Sequence, residues 1–327
     1  MHAVVCHAFG PLSQLTVEER ESPPLTSGQV RIEVAAAGVN FVDGLFVQGL
    51  YQTKPPLPFV PGSEIAGRVT EVAPGVTRVS VGDRVFANIR LGGFASEVLV
   101  DATRVRRTPD IVTDGQAATF TQSYMTAYFA LAHRAGVRCG QTLLVLGAGS
   151  GAGLAAVDVG SALGLRVIAA ASTSDKRELA RARGAESVID SATEDIKGRA
   201  REFAGGDGVD LVYDPVGGVQ AEQALRTLRE DGQFLVIGFA SGTIPRLPAN
   251  QILLRNRRVT GVEWGPWAAR EVVANNAFLD DVVARVERGE LQPVEPIAYP
   301  IAEAARAIQD QLERRVTGKA ILLPEPL

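Results

Sequence analysis

The stretch VLGAGSGAGL, residues 145–154, places four glycines in ten positions between the apolar run TLLV and an alanine-rich segment. A loop that needed only flexibility would mix Gly with Ser, Asn or Asp, whereas here a buried strand turns directly into a helix. Gly147, Gly149 and Ala152 satisfy G-x-G-x-x-A. In that pattern one glycine makes the tight turn, the next admits a pyrophosphate against the backbone, and the third small residue lets the helix pack close. The helix, roughly residues 152–163 with Gly164 as its left-handed stop, would turn its free N–H groups toward the phosphates. The alternative is a turn shaped by packing alone. A strand before, a helix after and a second strand at the right interval argue against it.

That second strand, RVIAAA, runs into STSDKR. An acid at its end would bind a ribose 2′-hydroxyl; Ala171 and Ser172 stand there instead. A short hydroxyl with Lys176 and Arg177 nearby suits a 2′-phosphate, so NADPH is expected over NADH. Asp175 reads as a first-turn acid behind a Ser174 N-cap, with ribose binding as its alternative, and Lys176 as either a phosphate contact or a solvated helix charge.

Farther out, TLLVLGAG, LRVIAAAS, ESVID, VDLVYD and GQFLVIGF alternate with helical stretches, the pattern of a doubly wound parallel sheet in an α/β protein. AVVCHA, QVRIEVAAAGV, EIAGRVTEV and DRVFANI in the first third read as a rolled, antiparallel sheet. The last strand, KAILLP, has no partners near it in sequence, so the tail is expected to rejoin the first domain. The result is an outer domain of residues 1–119 and 266–327 with a nucleotide-binding domain, 120–265, inserted in it.

With 327 residues and 46% hydrophobic content, two cores are expected. The net charge of −4 and the lack of a basic stripe argue against a nucleic-acid partner; RNRR at 255–258 reads as a solvated turn. The start MHAVVCHAFG has no cationic leader, and no segment is long and apolar enough to span a bilayer, so a cytoplasmic protein is expected. Cys6 and Cys139 read as buried small hydrophobes, and His2, His7 and His133 have no ligand-like spacing.

GVNFVDGLFVQGLY (38–51), PFVPGSEIAGRV (58–69), VGDRVFA (81–87), the glycine turn, DPVGG (214–218) and the terminal TGKAILL together resemble the quinone oxidoreductase, or zeta-crystallin-like, family, a zinc-free branch of the medium-chain dehydrogenase/reductase superfamily. The resemblance implies a GroES-like, mostly β catalytic domain, a Rossmann domain and a homodimer. Zinc-dependent members of the superfamily have Cys at the place of Asn40 and His at that of Ser63; Glu64 alone cannot hold the ion, so no metal is expected. Without a Lewis acid, a simple ketone is a hard hydride acceptor, whereas a quinone or enone spreads the incoming charge through conjugation. The expected activity is zinc-independent, NADPH-dependent hydride transfer to a small quinone or other conjugated carbonyl. The alternatives are an enoyl-thioester reductase and a non-catalytic nucleotide-binding or RNA-binding crystallin-like protein.

The resemblance also assigns residues. Asn40 would stand near the nicotinamide ribose and the substrate oxygen, with Asp43 orienting it; turn formation and helix capping would account for the same pair. Tyr51 is a candidate proton donor or a packed core tyrosine, and Gly44 beside Leu45 would leave space in an apolar pocket walled by Tyr51, Trp264 and Trp267, with core packing as the alternative for both tryptophans. Thr126, Ile237, Gly238, Phe239 and Ser241 would border the nicotinamide; helix packing and a β-turn are the plainer explanations. Ser150, with Gly151, Ala152 and Gly153, would meet the phosphates, while Ser191 replaces a family tyrosine. Ser172, Lys176 and Arg314 would meet the 2′-phosphate, unless Arg314 only complements a helix end.

Overall fold

A computed structural model describes residues 1–324; the last three residues of the expected 266–327 segment lie outside the described residues. The chain divides into two compact units, Met1–Gln122 with the chain from Pro293 onward, and Ser123–Gln292. The second crossing falls at Gln292 rather than 265, so the helices Trp264–Arg270 and Val272–Glu287 belong to the inserted unit.

In the first unit the long strand Gln29–Val39 is the centre of a seven-stranded sheet. Its alternating and then continuous burial explains this: Val30, Ile32 and Val34 face the core, and Ala36 to Val39 are covered on both sides. Antiparallel to it run Glu64–Val72, Glu97–Asp101 and the terminal strand Ala320–Leu323. The tail thus returns to the first domain as its apolar sequence requires. The core runs from Ala3 and Val4 through Ile65 and Phe94 to Ile308 and Leu322.

The second unit holds a six-stranded sheet, parallel throughout, in the order Ser187–Asp190, Arg166–Ala171, Thr142–Val145, Val209–Asp214, Leu228–Val236, Arg258–Gly261. This is the doubly wound arrangement, with Leu144, Ile168, Val212 and Phe234 buried in its core. The sixth strand is hidden in sequence by its basic start, and RNRR is not simply a solvated turn. Arg257 is 5% exposed and donates from Nε and Nη2 to the Leu228 carbonyl and from Nη1 to that of Gln251. Cys6 is buried, but Cys139 is exposed, against expectation. Among the described residues no helix is long and apolar enough to cross a membrane.

Candidate functional site

Because all strands of the second unit run the same way, their C-terminal ends share one edge, and Ser150–Gly153, Ser172, Lys176 and Ile237–Ser241 follow those ends in the chain, whereas Asn40 and Arg314 lie in the first unit and Thr126 on helix Asp114–Tyr128. The chain leaving Thr142–Val145 is pinned on both sides: Leu146 N–H donates to the Tyr213 carbonyl (3.0 Å) and Ala148 N–H to that of Ala170 (3.0 Å). Gly147 takes φ +58° to make the turn, and helix Gly151–Ala162 starts immediately after it.

Two glycines are fixed by close approach. A Cβ on Gly153 would lie 2.2 Å from the Gly147 carbonyl oxygen, so the residue that lets helix meet turn is Gly153 and not Ala152, which is only half-buried. A Cβ on Gly149 would lie 2.5 Å from Cβ and Cγ of Lys176; the lysine stem crosses the bare glycine backbone. Ser150 caps the helix, its Oγ accepting from Gly153 N–H (3.2 Å) and donating to the Gly147 carbonyl (2.8 Å). Its hydroxyl proton therefore closes the turn.

The next strand ends at Ala171, with Ser172 exposed beyond it. Helix Ser174–Ala182 follows, and its N-cap is Thr173, not Ser174: Thr173 Oγ1 accepts from Lys176 N–H at 3.4 Å. Of the two cations at its start, Arg177 is engaged elsewhere, paired with Asp190 at 3.1 Å and donating to the Ala171 carbonyl. The stem of Lys176 lies over the turn.

Asp214, which sequence reasoning passed over in favour of the glycines after it, organises the other side. Its buried Oδ1 accepts from Val216 N–H (2.8 Å) and Gly217 N–H (2.9 Å), and its carbonyl from Ile237 N–H (2.9 Å) and Gly238 N–H (3.3 Å). Burial raises its carboxyl pKa, and its Oδ2 has no hydrogen-bond partner. Ala240 and Ser241 amides bond to Pro215 and Val216 carbonyls, so Ile237, Gly238, half-exposed Phe239 and Ser241 lie alongside the 214–217 turn. Thr126 is half-buried on helix Asp114–Tyr128, and no hydrogen bond ties it to the turn. Trp264 donates to Asn275 (2.9 Å), and Trp267 stacks on Phe278 and packs on Phe129 and His133. Both tryptophans serve packing in the second unit.

The first unit carries a different cluster, built by strand register. Ala320 pairs with Val39 and Glu64 with Gly38, so Lys319 and Glu64 flank Asn40 where the central strand ends. Gly38 admits the Ala118 carbonyl, 2.2 Å from where its Cβ would be, which brings Gln122 in as well. Lys319 Nζ donates to Asn40 Oδ1 at 2.6 Å; Asn40 Nδ2 donates to Glu64 Oε2 at 2.8 Å; Gln122 N–H donates to Glu64 Oε1 at 2.6 Å. Ser63 Oγ donates to Gln122 Oε1 at 3.0 Å. Lys319 and Glu64 are 4% and 1% exposed, and neither received a role from the sequence. The available signal was a lysine leading into a buried strand and an acid opening another, each needing a partner.

Asn40 is also the N-cap of helix Phe41–Val47, where its own N–H donates to Asp43 Oδ2 at 2.7 Å. Asp43 is wholly buried and its Oδ1 has no hydrogen-bond partner. Burial, reinforced by the Glu64 carboxylate, pushes its pKa up to about 7, against the opposing pull of the Asn40 amide and Lys319. Gly44 leaves no space: a Cβ there would meet Leu312 at 2.8 Å and Ile308 at 3.0 Å, so it lets helix Ala304–Leu312 pack close. Tyr51 is half-buried, its ring 4.7 Å from that of Phe46. Arg314 is exposed with φ +61° in the turn leading to the last strand.

Residues 151–278 match the family described as zinc-binding dehydrogenase and residues 26–110 the alcohol dehydrogenase GroES-like domain. The chain is 36% identical over 324 residues to a quinone oxidoreductase-like protein 2 homolog of Nematostella vectensis, covering 98% of this chain and 88% of that protein. It is 31% identical to the human quinone oxidoreductase, over 99% of this chain and 98% of the relative. A solved structure of the Thermus thermophilus quinone oxidoreductase, also determined as its NADPH complex, superposes with a TM-score of 0.85 at 34% identity, covering 99% of this chain and 100% of that one. A zinc ion does not suit the donors at Asn40. An amide and a hydroxyl replace stronger ligands, and Glu64 Oε2 already faces the Lys319 ammonium at 3.6 Å. Among the described residues no three His, Cys, Asp or Glu side chains group as metal donors.

Proposed function

Since the chain belongs to the quinone oxidoreductase family of the medium-chain dehydrogenase/reductase superfamily, we propose that it reduces small quinones or other conjugated carbonyls with NADPH and without zinc. The observation that carries the cofactor choice is the Lys176 stem laid over Gly149, with Ser172 rather than an acid at the end of the neighbouring strand. Amides of the 147–153 turn would hold the pyrophosphate, Ser172 and Lys176 the 2′-phosphate, and Ile237, Gly238, Phe239 and Ser241 the nicotinamide side. When bound, the reduced nicotinamide supplies a hydride. Asn40 would position the acceptor oxygen, Asp43 would hold Asn40 through its backbone amide, and Tyr51 would hand over the proton. The poor metal donors at Asn40 and Ser63 favour acceptors whose own conjugation disperses the charge. The open edge strand Arg258–Gly261, with Val259, Leu253 and Leu254 exposed, supports a homodimer, and light scattering should return the mass of two chains.

The test is NADPH oxidation with ortho- and para-quinones, enones and enoyl-thioesters in parallel, on protein of measured metal content. Turnover of quinones or enones that survives chelation is expected. Loss of turnover on chelation would refute the zinc-free reading, and tight NADPH binding without oxidation of any acceptor would refute the enzyme. Selective loss of enoyl-thioester reduction in Tyr51→Phe would make the thioester the natural acceptor class.

A further inference from the structure

We propose that Lys319 is a positioning residue whose ammonium, opposed by Glu64, fixes which way the Asn40 carboxamide faces. A carboxamide is nearly symmetric in shape, so packing alone cannot tell its oxygen from its nitrogen. Charge can. The ammonium only donates, so the Asn40 atom 2.6 Å from it must be the oxygen; the Glu64 carboxylate only accepts, so the atom 2.8 Å from it must be the nitrogen. A flipped amide would set NH₂ against NH₃⁺ and carbonyl against carboxylate, all in a site where Lys319, Glu64 and Asn40 are 4%, 1% and 6% exposed.

The distances also separate this role from plain charge neutralisation. Lys319 Nζ lies 3.6 Å from Glu64 Oε2 but 2.6 Å from Asn40 Oδ1, so its shorter bond goes to the amide and not to the carboxylate. Glu64 Oε1 is committed to the Gln122 N–H and Asp43 Oδ2 to the Asn40 N–H, which leaves Lys319 as the cation that answers the Asn40 carbonyl. The functional consequence rests on the reading above, in which Asn40 positions the acceptor oxygen. An amide locked before the acceptor arrives presents one fixed pattern of donor and acceptor.

Three variants test this against wild type: Lys319→Met, Lys319→Gln, and the pair Lys319→Met with Glu64→Gln. Lys319→Met strands a buried carboxylate and should lower both melting temperature and kcat. The pair removes both charges, so the melting temperature should recover while kcat stays roughly ten- to a hundredfold down, with the KM for NADPH unchanged. Lys319→Gln, which keeps an N–H donor for Asn40, should retain more kcat than Lys319→Met at equal stability. Recovery of kcat together with melting temperature in the pair would overturn the proposal, as would failure of all three variants to fold, since Lys319 would then serve the fold alone. Asn40→Ala separates this from the wider reading: full activity there removes Asn40 from the reaction. Side-chain amide exchange of Asn40, slow in wild type and fast in the paired variant, still reports on the lock in that case, and equal exchange in both refutes it.

Discussion

Asp43 is an acid placed where an acid is costly, fully buried at the first turn of a short helix with one unbonded oxygen. Its carboxyl is raised from 3.8 to about 7, chiefly by burial, so the folded protein binds a proton there more tightly than the unfolded chain does. The resulting stabilisation is complete below the unfolded value and is lost as pH rises through about 7. Asp43→Asn keeps an acceptor for the Asn40 amide but cannot ionise. Its melting temperature relative to wild type should therefore climb between pH 5 and 7 by roughly 3–5 °C per pH unit, then level off. A difference that stays flat with pH would mean that Asp43 titrates normally. At this scale the sequence was half legible. Asn40 and Asp43 could be paired from their i, i+3 spacing, but Glu64 and Lys319 reach Asn40 only through the register of three strands, and register is not written at any single position.

The strand–turn–helix around Gly147 was legible almost whole, because its glycines answer to contacts within a few residues. Where the reading slipped, the cause was local competition: Thr173 takes the cap expected of Ser174, and Gly153 takes the packing role expected of Ala152. The two close-approach glycines should respond differently to alanine. Gly153→Ala drives a Cβ into backbone and should cost melting temperature as well as NADPH affinity; Gly149→Ala meets a side-chain stem and should mainly displace Lys176. Differential scanning fluorimetry with and without NADPH distinguishes them, and equal destabilisation by both would contradict the assignment. Lys176 comes from the next helix, Ser174–Ala182, but its stem lies against the same turn. With its stem laid over Gly149, Lys176 is the proposed 2′-phosphate contact, so its loss in Lys176→Ala should raise the KM for NADPH roughly tenfold and leave that for NADH nearly unchanged. An equal effect on both cofactors would remove Lys176 from that role.

On the scale of the chain, the order of strands and helices announced an inserted parallel-sheet domain, and the apolar tail announced its own return. What stayed hidden was the extent of the insertion. The helices Trp264–Arg270 and Val272–Glu287 have periodicity but no sequence sign of which sheet they serve, and the sixth strand begins with arginines that read as surface. The inserted unit, Ser123–Gln292, is continuous in sequence, has its own buried core from Leu144 to Phe234, and holds the whole glycine turn with Lys176 and Asp214. The outer unit is discontinuous, its tail being one of the strands hydrogen-bonded to Gln29–Val39. Residues 123–292 expressed alone should therefore fold and melt cooperatively, and should bind NADPH within about tenfold of the full chain, a difference of about 1.4 kcal/mol. On the roles proposed for Asn40, Asp43 and Tyr51, which lie outside the fragment, they should not oxidise it. A fragment that melts cooperatively yet shows no change in nicotinamide fluorescence on titration would place the main NADPH contacts outside the glycine turn.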